Sequence, residues 1–333
     1  MSELRQDLVS GDWIIMAPER GGKRPHDLAA RREKRKSSPE STCPFEDPKR
    51  SGNWPPIAAY PDEEKWEMIL IPNKYPALTH TPLCAPERRH GPNSYAAGSG
   101  HHDLLVTRDH HKNFSNLSVA EGVRLFEVLQ ERYRTLASDR CLLYTATFFN
   151  WGAGAGASLY HPHYQILTLP VVPTHVQHSL EGSRRYFQKH GRCPHCATIA
   201  WERKEKKRVI DENAGAISFS PFAPFEPFAL KVLTKRHISS FEKTAKKDLR
   251  SIVQVLQSTL RRVTKYLHDP DYNFFIHTTP LKHRERYPYY HWHIEVTPKI
   301  QVPGGFEVST GMDINVVDPD RAAAILRGKK NSS

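Results

Sequence analysis

Asn150-Trp151-Gly152-Ala153-Gly154-Ala155-Gly156-Ala157-Ser158-Leu159-Tyr160-His161-Pro162-His163-Tyr164-Gln165 joins a run of small residues to two histidines one residue apart and a glutamine two further on. Small residues let a backbone approach a ligand closely, and glycine tolerates positive φ. In an extended segment, residues i and i+2 share a face. That spacing predicts His161, His163 and Gln165 on one side of a strand, beside an amide-rich loop. Imidazole nucleophiles and amide donors so placed point to chemistry on a phosphate.

The end of this stretch recurs: Tyr160-His161-Pro162-His163 is answered by Tyr290-His291-Trp292-His293. Working outward, Cys43-Pro44-Phe45-Glu46 is answered by Cys193-Pro194-His195-Cys196, and Arg108-Asp109-His110-His111 by Lys235-Arg236-His237-Ile238. Between these marks each half carries a strand, a helix and a second strand. A helix is expected from about Ser118 to Leu136, because Val119, Val123, Phe126, Leu129, Tyr133 and Leu136 step by three and four. Ser118 and Glu121 form a capping box at its start. Its counterpart runs from about Lys246 to Leu267, with Leu249, Ile252, Val253, Leu256, Leu260 and Val263 on one face. Strands are expected over 12–17, 66–71, 103–107, 142–149, 160–169, 228–233 and 272–278, while residues 170–192 read as a connection. Recurrence of the whole order makes the chain a duplicated α+β unit with halves at 1–175 and 176–333. Strands joined by short turns favour a mostly antiparallel sheet with helices packed on one side.

The 333 residues suffice for one large domain or two ordinary ones, and no apolar run approaches a membrane span. Met1-Ser2-Glu3-Leu4-Arg5 lacks an apolar signal core, so a cytoplasmic protein is expected. The net charge of +12 attracts phosphates. Part of it sits in Arg31-Arg32-Glu33-Lys34-Arg35-Lys36, a run without aromatic residues that reads as a solvated loop rather than a nucleic-acid site. The five cysteines are an odd number, which argues against a disulfide framework and leaves Cys84 and Cys141 as ordinary structural residues.

Zinc prefers four Cys and His ligands in a tetrahedron. The second half offers Cys193, Cys196, His237 and His291. The first offers Cys43, His110 and His161, with Glu46 in fourth place, and two readings stand for it: a zinc site completed by a carboxylate, or a metal-free turn. Neither set has the open position of a catalytic metal, so the role expected of zinc is structural.

With these residues assembled, the chain resembles the galactose-1-phosphate uridylyltransferase family of the histidine-triad superfamily over nearly its full length. Asp12-Trp13 through Arg20-Gly21-Gly22-Lys23-Arg24-Pro25, Pro72-Asn73-Lys74-Tyr75-Pro76-Ala77-Leu78, the Asn150 to Gln165 stretch, and Thr234 to Phe241 carry the resemblance. It implies a histidine-triad-like fold in each half and a ping-pong nucleotidyl transfer in which His163 is the nucleophile. A nucleoside monophosphate, UMP in the leading reading, moves between a nucleotide sugar and a hexose 1-phosphate. Gln165 and Ser158 match positions that contact phosphates, Asn150 and Gly156 match positions near the α and β phosphates, Asn73 matches a ribose contact, and Arg24 a phosphate contact. Phe306 to Asn315 falls where the family recognises the hexose phosphate, often from the partner subunit, which implies a homodimer. Glu46 departs from the cysteine often found there. His293 lacks the glycine loop and the glutamine that flank His163, which leaves the second half as scaffold plus acceptor pocket. An ADP-sugar phosphorylase with inorganic phosphate as acceptor is the alternative within this chemistry. A zinc-stabilised nucleic-acid-binding protein is the alternative outside it, motivated by charge, and it leaves the Asn150 to Gln165 stretch without a purpose.

Overall fold

The computed structural model describes residues 1–21, 35 and 37–329. The chain opens with β1 (Glu3–Gln6) and β2 (Trp13–Met16). Then come β3 (Ala58–Tyr60), β4 (Met68–Pro72), the hairpin β5 (Arg88–His90) and β6 (Asn93–Tyr95), β7 (His101–Thr107), α1 (Val119–Ser138), β8 (Tyr144–Trp151) and β9 (His163–Leu169). Two helices, α2 (Thr174–His190) and α3 (Pro194–Glu205), lead to β10 (Val209–Glu212), β11 (Ala216–Phe219) and β12 (Leu230–Thr234). After α4 (Lys246–Tyr266) follow β13 (Tyr272–His277), β14 (His293–Pro298), α5 (Gly305–Thr310), β15 (Ile314–Asn315) and α6 (Pro319–Leu326).

Ten strands form one antiparallel sheet in the order β10-β11-β12-β14-β13-β8-β9-β7-β4-β3. Outward from its centre this order is β13, β14, β12, β11, β10 in one direction and β8, β9, β7, β4, β3 in the other. The two arms follow the same strand topology. They join where β8 and β13 pair, with Phe149 opposite Phe274. A single core therefore runs across both halves, including Phe126, Phe149, Tyr164, Leu256, Phe274 and Ile294. Full burial of each such side chain contributes about 1.5–3 kcal/mol.

α1 and α4 cover one face of the sheet. The capping box at Ser118 and Glu121 is formed, and the apolar stripe with Val123, Phe126, Leu129 and Tyr133 is buried. Each helix also reaches into the opposite half. Gln130 donates its amide to the carbonyls of Phe241 and Thr244, and Gln257 to those of Phe114 and Leu117. Buried carbonyls left without donors would be costly, so the two glutamines hold the halves in register.

Several expectations differ from this arrangement. Helices lie on both faces: Ile199 of α3 packs against Ile217, Phe219 and Leu233, and Val176 and Leu180 of α2 pack with Tyr144 and Tyr290. α2 occupies the stretch read as a connection. Cys84 and Cys141 are joined in a disulfide, which ties an exposed loop to the chain just after α1. The pairing is legible only in three dimensions, because neither residue has a partner at a telling spacing. The N-terminal strands sit with the second half, β2 pairing with β15 and Asp7 facing Lys231. Of the basic run, Arg35 is not solvated but packed, 2.9 Å from both Asp269 and Asp271 and over the ring of Trp151. Among the described residues, no helix is long and apolar enough to cross a membrane.

Candidate active site

β9 starts at His163 rather than Tyr160, so only His163 and Gln165 share a strand face. Their partners in the register are Val106 and Leu104 of β7, and this is the face turned away from α1 and α4. His161 stands before the strand and turns toward the Cys43 turn. The chain is bent there by Pro162, and the bend brings the His161 carbonyl 2.9 Å from Nδ1 of His163. A carbonyl can only accept, so Nδ1 of His163 carries the proton and Nε2 presents a lone pair. Among the described residues Nε2 has no hydrogen-bond partner. Burial, at 5% exposure, holds His163 below the usual imidazole range, against the opposing effect of the His161 carbonyl. It is therefore neutral and nucleophilic at pH 7.

The glycine loop contributes shape more than donors. Gly152 and Gly156 adopt φ of +87° and +86°, which other residues rarely tolerate. A Cβ on Gly152 would stand 1.9 Å from Oδ1 of Asp271. The amide of Gly154 donates to Asp271 at 2.7 Å, while those of Ala155, Gly156 and Ala157 are taken by carbonyls within the loop. Those four amide protons are already engaged within the protein. The second half holds the loop, for Asn273 donates to Asn150 Oδ1 at 2.8 Å and to the Ala155 carbonyl at 2.7 Å. Asn150 thereby keeps its amide protons toward Gly156 and the open face, where a cavity of about 400 Å³ is lined by Asn150, Phe148, Asn273, Phe275 and Val176. Ser158 is exposed at the end of the loop. Arg24 lies outside the described residues.

Asn73 follows β4 and reaches the same face, where His102 of β7 stands between it and Gln165. Nε2 of His102 is 3.0 Å from Gln165 Oε1 and 3.2 Å from Asn73 Nδ2. His102, Asp271 and Asn273 went unnoticed in the sequence. No spacing marks them, since their roles depend on cross-strand neighbours.

Both ligand sets assemble. Cys43, Glu46, His110 and His161 bring one donor atom each within 4.8 Å of one another, as do Cys193, Cys196, His237 and His291. Nε2 of His161 donates to the Thr107 carbonyl at 2.6 Å and that of His110 to the Ser38 carbonyl at 2.9 Å. Their Nδ1 lone pairs therefore face the Glu46 carboxylate, 3.1 and 3.0 Å away. Two lone pairs, a carboxylate and the Cys43 sulfur converge on one point, an arrangement suited to a cation. In the second set, Nε2 of His237 donates to the Pro288 carbonyl at 2.8 Å and that of His291 to Thr234 Oγ1 at 2.9 Å, so again Nδ1 carries the lone pair, facing the Cys196 sulfur at 3.3 and 3.6 Å. Such outer partners fix which nitrogen can bind a metal. The Cys193 thiol, and after it the two imidazoles, holds the Cys196 thiol well below its usual range against burial.

The rival histidine has a different setting. Nδ1 of His293 is bound to the His291 carbonyl at 3.1 Å, but its Nε2 lies 3.4 Å from the carboxylate of Glu295. Glu295 occupies the place of Gln165, and a carboxylate there repels a phosphate.

A family model described as a domain of unknown function (DUF4921) matches residues 85–327. An ADP-glucose phosphorylase of Arabidopsis thaliana is 35% identical, over 98% of this chain and 92% of that protein. A galactose-1-phosphate uridylyltransferase of Thermotoga maritima is 25% identical over 98% of both chains. The chain belongs to the galactose-1-phosphate uridylyltransferase-like family. Within it, the crystal structure of an ADP-glucose phosphorylase from Arabidopsis thaliana with bound ADP-glucose covers all of both chains at 31% identity and a TM-score of 0.83. A galactose-1-phosphate uridylyltransferase-like protein from the same plant gives 0.81 at 32% identity, over 98% of both chains. The fold expected from the duplication, α+β with a large antiparallel sheet, is the fold of these relatives.

Proposed function

We propose that the protein is a nucleotidyltransferase that moves a nucleoside monophosphate out of a nucleotide sugar through a covalent adduct on His163. The observation that carries this reading is the hydrogen bond from His163 Nδ1 to the His161 carbonyl, which leaves Nε2 as an unprotonated, partnerless nucleophile on the open face. Nε2 attacks the α-phosphorus, a P–N bond forms, and the bond from that phosphorus to the bridging oxygen breaks to release a sugar 1-phosphate. An oxygen of a phosphate-bearing acceptor then attacks the same phosphorus and returns the lone pair to Nε2. Splitting the transfer gives ping-pong kinetics. The amides of Gln165 and Asn150, with the Ser158 hydroxyl, stabilise charge on the α-phosphate oxygens. Asn73 takes the ribose.

ADP-glucose is the donor favoured, with inorganic phosphate as acceptor, because similarity to the ADP-glucose phosphorylase is the greater of the two full-length likenesses. Transfer of UMP between UDP-glucose and galactose 1-phosphate is the second reading, supported by the likeness to the uridylyltransferase of Thermotoga maritima. Zinc fits both ligand sets: Cys43, Glu46, His110 and His161 would hold one ion, and Cys193, Cys196, His237 and His291 another. The chemistry such an ion supplies is structural. In the first set it fixes His161, whose carbonyl orients His163. A homodimer is supported by Val302, Phe306 and Val308, which expose 84, 43 and 77% of their surface around α5.

The donor and acceptor are tested by incubating the protein with ADP-glucose or UDP-glucose and either phosphate or galactose 1-phosphate, and resolving the nucleotide products. Phosphate-dependent formation of ADP and glucose 1-phosphate is expected. UDP-galactose as the main product would move the assignment to the uridylyltransferase reading, and no turnover of either sugar nucleotide would end both.

A further inference from the structure

We infer that His102 is a positioning residue for the transfer, setting the direction in which the Gln165 amide points. This rests on the reading of His163 as the nucleophile. The backbone N–H of Ala77 donates to Nδ1 of His102 at 3.1 Å. A backbone amide cannot accept, so Nδ1 of His102 is an acceptor, and in the neutral ring the proton is on Nε2. That N–H needs an acceptor, and Gln165 Oε1 is 3.0 Å away. The carbonyl end of the Gln165 amide is thereby fixed toward His102, and its NH₂ end is turned away. Among the described residues, no protein acceptor takes those two protons. They lie on the face that carries His163, two residues earlier on the same strand.

Asn73 fits the same logic. Its Oδ1 accepts from the Tyr75 amide at 3.0 Å and its own backbone N–H donates to the His102 carbonyl at 2.8 Å. Its Nδ2 therefore meets the Nε2–H of His102 as one donor facing another, and its protons are left for a ligand. The imidazole thus orders the Gln165 amide beside the reacting phosphate, while the Tyr75 amide orders that of Asn73 at the ribose end. Without it, the Gln165 amide could present its oxygen to a phosphate oxygen, which repels rather than stabilises.

The test follows the single-turnover modification of His163 by a nucleotide sugar labelled in the α-phosphate. In His102→Phe the ring remains but both nitrogens are gone. The rate constant is expected to fall about 10- to 100-fold, the scale of a misplaced catalytic group, while the final amount of adduct per chain stays the same. His102→Gln carries an amide N–H that reaches Gln165 Oε1, and is expected to recover most of the rate. In a Gln165→Ala background the His102→Phe change is expected to add nothing. A wild-type rate in His102→Phe overturns the inference, as does an equal loss in His102→Phe and His102→Gln, or a full multiplicative loss on top of Gln165→Ala. If the wild-type chain takes up no nucleotide, the assignment of His163 fails and this inference with it. If the wild type is modified and His102→Phe keeps pace, only this inference fails.

Discussion

At the scale of single residues, the chain separates two histidines that the sequence makes look alike. His163 and His293 both bind the carbonyl two residues back. What differs is the residue two positions on, an amide at Gln165 and a carboxylate at Glu295. The Glu295 carboxylate belongs instead to a mostly buried cluster with Lys231, 3.2 Å away, and Asp7, which is 3.7 Å from the same lysine; His277 and His293 face Glu295 as well. Burial pushes both carboxyls up, but the charge of Lys231 together with the Ser10 and Val9 amides at Asp7, and with His277 and His293 at Glu295, holds both below their usual range. A depressed carboxylate contributes stability that is present above its unfolded pKa of about 4 and lost as pH falls through the folded value. In Lys231→Met the lysine no longer opposes burial, so both carboxyls shift up toward protonation in the folded state. The variant should be about 3–5 kcal/mol less stable at pH 7, and the gap should narrow as pH falls toward 5. Urea unfolding of both proteins at the two pH values checks this, and a gap that does not change with pH would show that the cluster is not ionised as argued.

At the scale of elements, legibility in the sequence follows how local each signal is. α1 was readable because its cap and stripe lie within its own residues. α3 carries a usable signal, since Pro194 at the first helical turn after Cys193 is a favoured helix start. α2 begins after Pro173 with no side-chain cap and holds Gly182 against the Val9 carbonyl, so its stability comes from packing that no window of sequence contains. The candidate metal donors and His163 stand out in the sequence because a repeat marks them. His102 and Asp271 act across strands, where sequence spacing says nothing. The disulfide is likewise a tertiary fact. Cys84 and Cys141 are 57 residues apart, and closing a loop of that length removes up to about 4 kcal/mol of unfolded-state entropy. The doubly substituted Cys84→Ser, Cys141→Ser chain should therefore unfold at a lower urea midpoint than the oxidised protein, and the reduced protein should match it. Identical midpoints with and without reductant would mean that the bond does not form or does not constrain the chain.

At the scale of the whole molecule, duplication explains the division of labour. Two copies of one topology share a continuous sheet, so β13 of the second half lies against β8 of the first and supplies Asn273, while Asp271 just before it pins the glycine loop. In the proposed reading the first half carries His163 as nucleophile, and the second holds the loop beside it. The candidate site was half legible from the sequence for the same reason: repeated marks pick out the two Cys/His sets and the histidine pair, whereas the supporting contacts exist only once the halves meet. The account stands or falls on which nitrogen takes the phosphorus. Wild-type protein and His163→Ala, each mixed with ADP-glucose or UDP-glucose labelled in the α-phosphate and then denatured, should differ in one respect. The wild-type chain should carry one acid-labile nucleoside monophosphate, mapped to the peptide holding His163, and His163→Ala should carry none. An adduct that persists in His163→Ala, or that maps to His293, would contradict the assignment.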